Sequence, residues 1–204
     1  MLTVLINGSP KAKESASGVI LSEIKSCLKD NIEVCETSFR SGKISDGDME
    51  CIKRADSIIL AFPLYVDCVP SNVLRCLEQI ENTGANVYAV CNSGFYEAGQ
   101  NALALDVIRN WCIRNGLKWK RGIGLGGGGA IIGMQSVPLG KGPKKNIAKA
   151  FGILAENVAA GIGGENIYVS IGIPRAVYKM AADMGWKKLV KENGLKTEDV
   201  NRKM

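Results

Sequence analysis

Apolar and polar positions alternate in two rhythms along this chain, and the rhythms change places at regular intervals. Thr3 to Ile6 is a short β-branched run that stops at Asn7-Gly8. Beyond it, Ile20, Ile24, Cys27 and Leu28 recur at helical spacing behind Ser15, a residue type that caps helices. Ile32 to Thr37 predicts a second strand and Met49 to Arg54 a short helix. Ser57 to Phe62 is uninterruptedly apolar, the pattern of a strand buried on both faces. Pro70 then opens a helix, where its missing N–H costs nothing, with Val73, Leu74, Leu77 and Ile80 as the buried stripe. Asn86 to Cys91 predicts a fourth strand. A long helix from about Ala98 to Asn115 follows, with Leu105, Ile108, Trp111 and Cys112 on one face and Gly116 closing it. Lys118 to Leu125 predicts a fifth strand, which empties into Gly126 to Gly129.

Strands alternating with helices predict an α/β fold with a five-stranded parallel sheet of order 2-1-3-4-5. The ligand crevice of such a sheet lies beyond the carboxyl ends of strands one, three and four. Residues 1–165 are read as this domain and 166–204 as a C-terminal helical extension, packed on the same domain or on a dimer partner. Within the domain, Val137 to Lys145 is looser and precedes a helix from Lys145 to Ala160. In the extension, Pro174 starts a helix that Gly194 ends, with Ile173, Val177, Met180, Ala181 and Met184 on one face.

Composition narrows the chemistry. The chain of 204 residues contains no histidine, which excludes Ser-His-Asp and Cys-His nucleophilic catalysis and histidine metal sites. Seven scattered cysteines without Cys-x-x-Cys spacing read as free thiols in a reducing, cytoplasmic setting, and give no metal or iron–sulfur site. Met1 to Ile6 lacks a basic leader and reads as a strand instead of a signal peptide. The net charge is +6, but basic residues interleave with acidic ones, so no nucleic-acid partner is expected. Lys179, Lys187, Lys188 and Lys191 suit a solvated helix face better than a membrane surface.

Three loops at the predicted crevice hold residues that could carry chemistry. The first, Asn7 to Gly18, places Ser9, Ser15 and Ser17 hydroxyls, Lys11 and Lys13 and the backbone around Ala16 at a helix N-terminus, which suits a phosphate. It is no Walker loop, since Lys13 stands where the second glycine belongs. The plainer alternative is an ordinary turn with a serine cap. The second loop, Phe62 to Pro70, offers a rigid Pro63, Leu64, Tyr65 and Val66 to a flat heterocycle, unless Tyr65 is a packing residue. The third, Asn92, Ser93, Gly94, Phe95, Tyr96 and Glu97, offers amide and hydroxyl donors to the edge of such a ring; helix capping by Asn92 or Ser93 is the alternative. Gly122-x-Gly124-x-x-Gly127 fits the dinucleotide pattern, yet it follows the fifth strand and meets Lys144 to Lys149 where an acidic residue is needed. It is read as a flexible loop flanking the substrate, with a packing requirement as the alternative.

Gly8-Ser9-Pro10-Lys11, Pro63-x-Tyr65 with Pro70, and Asn92-Ser93-Gly94 together resemble the NADPH-dependent FMN reductase and NAD(P)H:quinone oxidoreductase group. The resemblance covers roughly residues 1 to 130. It implies a flavodoxin-like three-layer sandwich, bound FMN, NADPH or NADH as electron donor, a small flavin or quinone-like acceptor and a homodimer. It places Ser9, Lys11, Ser15 and Ser17 on the FMN phosphate, Pro63, Leu64 and Tyr65 on the ring, and Asn92, Ser93 and Gly94 at its pyrimidine edge. Tyr65 and Tyr96 are the hydroxyls nearest the expected ring, and no side chain is assigned a catalytic role. The chain departs from the group in its Asn-Ser-Gly-Phe-Tyr third loop and in lacking a histidine beside the flavin. A flavodoxin-type electron carrier and a non-catalytic flavin-binding regulator stay open as alternatives. Carriers of that kind are usually acidic, unlike this chain.

Overall fold

A computed structural model of the chain describes residues 1–201. They fall into two compact units, Met1–Gly172 and a second beginning at Ile173. The first unit is built on six parallel strands, β1 (Leu2–Asn7), β2 (Glu33–Ser38), β3 (Ser57–Pro63), β4 (Asn86–Asn92), β5 (Lys118–Gly126) and β6 (Ile167–Ser170). Their order is β2-β1-β3-β4-β5-β6. The helices are α1 (Ala16–Cys27), α2 (Asp46–Arg54), α3 (Ser71–Leu77), α4 (Ala102–Arg114) and α5 (Lys145–Ala160). The second unit carries α6 (Arg175–Glu192), none of whose residues is buried, closed by Gly194 at φ 71°.

Alternation across the pleat divides the core into two layers. Val4, Ile6, Ile58, Leu60, Phe62, Val87, Ala89 and Cys91 meet Ile52 of α2, Val73 and Leu77 of α3 and Leu105 and Ile108 of α4. The intervening residues Leu5, Ile59, Tyr88 and Val90 are buried under the opposite face, where α1 supplies Ile20 and Ile24 and α5 supplies Phe151 and Leu154. The Tyr88 hydroxyl, deep in that layer, lies 2.9 Å from the carbonyls of Asn157 and Ile162. Lys144, itself buried, reaches Glu23 of α1 at 2.5 Å and so ties the start of α5 to α1. Severing a buried pair of this kind is costly, because it strands the remaining charge.

Three differences from the sequence reading have physical causes. The sheet has a sixth strand, and β6 falls inside the segment read as a helical extension. Its run is only four residues long and half-exposed, without the alternation that marks a strand. Its place is fixed from afar, through Gly164 N–H to the Lys120 carbonyl at 3.0 Å and Gly122 N–H to Asn166 Oδ1 at 2.8 Å. The glycines of β5 are likewise not a flexible loop. A Cβ on Gly122 would meet Leu105 at 2.9 Å, on Gly124 the Ala98 carbonyl at 2.9 Å and on Gly126 the Ala98 nitrogen at 2.8 Å. Three alternate glycines on one side of a strand thus let the segment 96–105 lie directly on the sheet. That segment opens with a 3-10 turn, Ala98–Asn101, so α4 starts one turn later than its apolar spacing predicts.

Burial raises Cys76 to about 11, Cys112 to about 12, Cys91 further still, and the Tyr88 phenol to about 12. The ordinary values are 9.0 for the thiols and 10.0 for the phenol. The fold therefore favours their protonated forms. The stability this contributes is complete below pH 9 and is lost as pH climbs through 11 and 12. The melting temperature should hold level from neutral pH to about 9 and fall progressively above it; a level profile to pH 11 would contradict the burial of these groups.

Gly8 governs how β1 leaves the sheet. A Cβ there would lie 2.8 Å from both Phe62 Cβ and Val73 Cγ2, while its N–H donates to the Ala61 carbonyl at 2.7 Å. Gly8→Ala should cost ~2 kcal/mol by overpacking, a fall of roughly 4–8 °C in melting temperature. An unchanged melting temperature would show that the loop can move away freely.

Candidate functional site

Three connections leave the carboxyl ends of β1, β3 and β4 and enclose a cavity of about 230 Å³. The first begins as an Asx turn, in which Ser9 N–H donates to Asn7 Oδ1 at 3.0 Å. Lys11 N–H approaches Ser9 Oγ at 3.3 Å. Ser15 caps α1, its Oγ accepting from Gly18 N–H at 3.1 Å and from Asn7 Nδ2 at 3.3 Å. Ser15 thus serves the fold and does not line the cavity. The N–H groups of Ala16 and Ser17 are the orphan donors that remain at this helix start. Both residues line the cavity, beside Ser9 and Lys11, and no acidic residue occupies the first turn of α1. The positive end of the helix dipole therefore stands uncompensated at the cavity wall. Glu14, the nearest carboxylate in sequence, is held outside by Gln135 Nε2 at 2.6 Å.

The second connection supplies Pro63, Leu64 and Tyr65 to the wall. Leu64 N–H donates to the Asn92 carbonyl at 2.8 Å. Tyr65 and Cys68 then exchange two backbone hydrogen bonds, of 3.1 and 3.0 Å, around a two-residue turn. Both turn residues are left-handed, Val66 at φ 49° and Asp67 at φ 56°. Two consecutive left-handed residues match the twist of a tight hairpin, but a β-branched residue enters that region at a cost of about 1–3 kcal/mol. Val66 is 99% exposed and does not line the cavity. Its contribution is the turn that presents Tyr65, which remains 42% exposed at the cavity edge.

In the third connection Asn92 spends both amide hydrogens inside the fold, on Ser17 Oγ at 3.0 Å and the Phe62 carbonyl at 2.9 Å. Asn92 lines the cavity without offering it an amide N–H, contrary to the donor role read from the sequence, and it caps no helix. Ser93 is locked by three contacts: its N–H to the Leu125 carbonyl, its carbonyl to Gly128 N–H, and its Oγ to Asn101 Nδ2. Phe95 and Tyr96 use their carbonyls to hold Gly127 N–H and Ser170 Oγ. Ser93, Phe95 and Tyr96 all lie off the cavity, whereas Gly94 lines it.

Gly129 and Ile132, from the 3-10 turn Gly128–Met134 after β5, complete the wall and were not expected there by residue. The glycine run was the available signal. Gly127 is left-handed at φ 72°, and a Cβ on Gly128 would stand 2.7 Å from Asn92 Cβ. Lys11 and Tyr65 are the ionisable side chains of the lining. Among the described residues no cluster of His, Cys, Asp and Glu could hold a metal ion, and no helix is long and apolar enough to cross a membrane.

No family model and no curated protein sequence matches the chain. Solved structures do match. An NADH:FMN oxidoreductase in its apo form superposes with a TM-score of 0.61 at 15% identity, over 86% of this chain and 97% of that one. A flavodoxin, WrbA-like protein from Agrobacterium tumefaciens gives 0.53 at 12% identity, over 78% and 96%. An FMN-dependent NADH-azoreductase from Bacillus anthracis, solved in complex with FMN, gives 0.50 at 13% identity, over 78% and 100%. At such identities the likeness is one of architecture, and with the sheet order it establishes that this chain has the flavodoxin-like fold.

Proposed function

We propose that the cavity binds FMN and that the chain is an FMN-dependent oxidoreductase carrying electrons from NAD(P)H to a small acceptor such as a flavin or quinone. One observation carries this reading. A non-titrating anion site, the free N–H groups of Ala16 and Ser17, shares one cavity with a flat, largely apolar wall of Pro63, Leu64 and Tyr65. FMN has a dianionic phosphate at one end and a planar ring at the other, so the donor set and the wall match its two halves. The three structural neighbours described above are flavin-associated by name, which supports the same reading.

Bound there, the cofactor would supply hydride and electron transfer, and the chain's own residues have binding and positioning to do. Ser17 Oγ already accepts a hydrogen bond from Asn92, so its proton is free to be donated to a phosphate oxygen. Ser9 Oγ, accepting from Lys11 N–H, is in the same position, and the Lys11 ammonium adds a charge at the rim. Tyr65 and Leu64 exclude water from one face, and Gly94 leaves room for the backbone to come close at the ring edge. A lining with no carboxylate and no histidine has no acid–base pair for hydrolytic chemistry, which again favours a cofactor that carries the reaction itself.

The deciding experiment is an anaerobic titration of the FMN-loaded protein with NADPH, and then NADH, followed in the visible flavin band. Prompt bleaching is expected. Firmly bound flavin that neither nucleotide bleaches would exclude the donor and favour a carrier; failure to bind flavin at all would end the proposal. The phosphate assignment has its own check. Ser9→Ala combined with Lys11→Ala should weaken FMN by about 10- to 100-fold, the loss of two charge-assisted contacts, with riboflavin affinity nearly unchanged. Equal losses for both ligands would move the phosphate elsewhere.

A further inference from the structure

Two acidic residues, Glu14 just before α1 and Glu23 within it, hold the segment that follows β5, and they hold it differently. Gln135, directly after the 3-10 turn Gly128–Met134, donates from its amide to Glu14 Oε1 at 2.6 Å and to the Ile132 carbonyl at 3.1 Å. Glu14 immediately precedes the Ser15 cap. One exposed side chain thus ties the loop bearing the anion donors to the turn bearing Ile132, across 121 positions of chain. Further on, Lys144 reaches Glu23 at 2.5 Å from a buried position. Ile131 is also fully buried, whereas none of residues 132–143 is. Glu14 and Gln135 are exposed, and neither lines the cavity.

We propose that Gln135 is a positioning residue whose hydrogen bond to Glu14 is the latch through which the ligand of the cavity enters and leaves. Ile131 and Lys144 are the fixed ends of the moving segment. When the latch opens, residues 132–143 lift between those ends and Ile132 leaves the wall. Gly140, left-handed at φ 85°, lies within the span and gives it a bend that a side chain would resist. Backbone hydrogen bonds at Val137 and Lys141 close local turns, so they travel with the segment and do not oppose its motion.

The two tethers suit these two tasks. A hydrogen bond to a carboxylate in water competes with solvent and breaks readily, whereas parting the buried Lys144 from Glu23 strands a charge. Opening precedes both entry and exit. Removing the latch therefore raises the open fraction and speeds association and dissociation alike, leaving their ratio, the affinity, nearly untouched. Removing a contact to the ligand acts otherwise, raising dissociation alone. With FMN as the ligand this inference rests on the function proposed above; the motion of the segment itself does not.

The test follows FMN fluorescence in stopped flow on the full chain. Gln135→Ala and Glu14→Ala should each raise association and dissociation rates by about 5- to 10-fold, the low end for a hydrogen bond to a charged group because this one is exposed. The double variant should be no faster than either single one, since both remove the same bond. Glu14→Gln keeps an acceptor for Gln135 and should stay within about threefold of the original rates. Faster dissociation with unchanged association would make the pair a brace for the anion site and overturn the latch, as would additive effects in the double variant. Amide hydrogen exchange without any flavin gives a second reading. Exchange across residues 132–137 should quicken in Gln135→Ala while residues 145–160 of α5 keep their protection. Unchanged exchange there would overturn the latch even if FMN binds, and quickened exchange in a chain that binds no FMN would sink only the choice of ligand.

Discussion

Two hydrogens of one carboxamide hold the candidate site together. Asn92 donates one to Ser17 on α1 and one to the Phe62 carbonyl at the end of β3, while its own backbone carbonyl takes Leu64 N–H. A parallel sheet orders its strands but leaves the loops beyond their carboxyl ends unconnected, each leaving toward its own helix. Here a buried amide joins all three. Each of its hydrogens would cost ~1–3 kcal/mol to leave unpaired, so the loops are confined to one mutual arrangement. The cavity's shape is then a property of the fold and does not await a ligand. Ser17 shows the economy of this arrangement: its oxygen serves the amide while its proton and its N–H remain for the cavity.

What could be read from the sequence follows the range of the forces involved. Strands β1, β3, β4 and β5 and helices α1 and α5 announce themselves by apolar spacing, because each buries a continuous stripe of its own residues. The cap at Ser15 was equally legible, being a contact within four positions. The roles of Ser15 and Ser17 could not be separated that way. That Ser17 stands at the cavity wall is tied to an amide 75 positions later in the chain. β6 was hidden for the same reason, since its place depends on Asn166 reaching Gly122 and on glycines in β5 clearing Tyr168. Among the expected site residues, those lost from the cavity were Ser15, Val66, Ser93, Phe95 and Tyr96. Ser15, Ser93, Phe95 and Tyr96 spend a backbone or hydroxyl group on holding the fold, and Val66 stands exposed at the tip of its turn.

Close approach and strain sit next to one another at this end of the sheet. Alternate glycines at 122, 124 and 126 remove side chains from one side of β5, so residues 96–98 can lie against the strand and bring the third loop to its carboxyl end. In the second loop the reverse holds, and a β-branched Val66 is kept in a left-handed conformation that glycine or asparagine would adopt at less cost. The penalty is local to the hairpin that presents Tyr65, and the hydrogen bonds flanking it are complete. Strain retained beside a cavity wall, with a fully exposed side chain gaining nothing from burial, is best explained by the position it gives the neighbouring aromatic.

The charge of the site is built the same way as its shape, from the backbone. An anion site made of two N–H groups and a helix dipole does not titrate, and a chain without histidine lacks the usual switch near neutrality. The pairings elsewhere keep carboxylates out of the way: Glu14 is turned to Gln135, and Glu23 is neutralised by the buried Lys144. The cavity therefore keeps a positive end whatever the protonation of its surroundings, and its lining holds no carboxylate and no histidine. The backbone donors and the helix dipole thus give the wall a positive end that does not depend on pH, and the ionisable side chains of the lining, Lys11 and Tyr65, stand beside it.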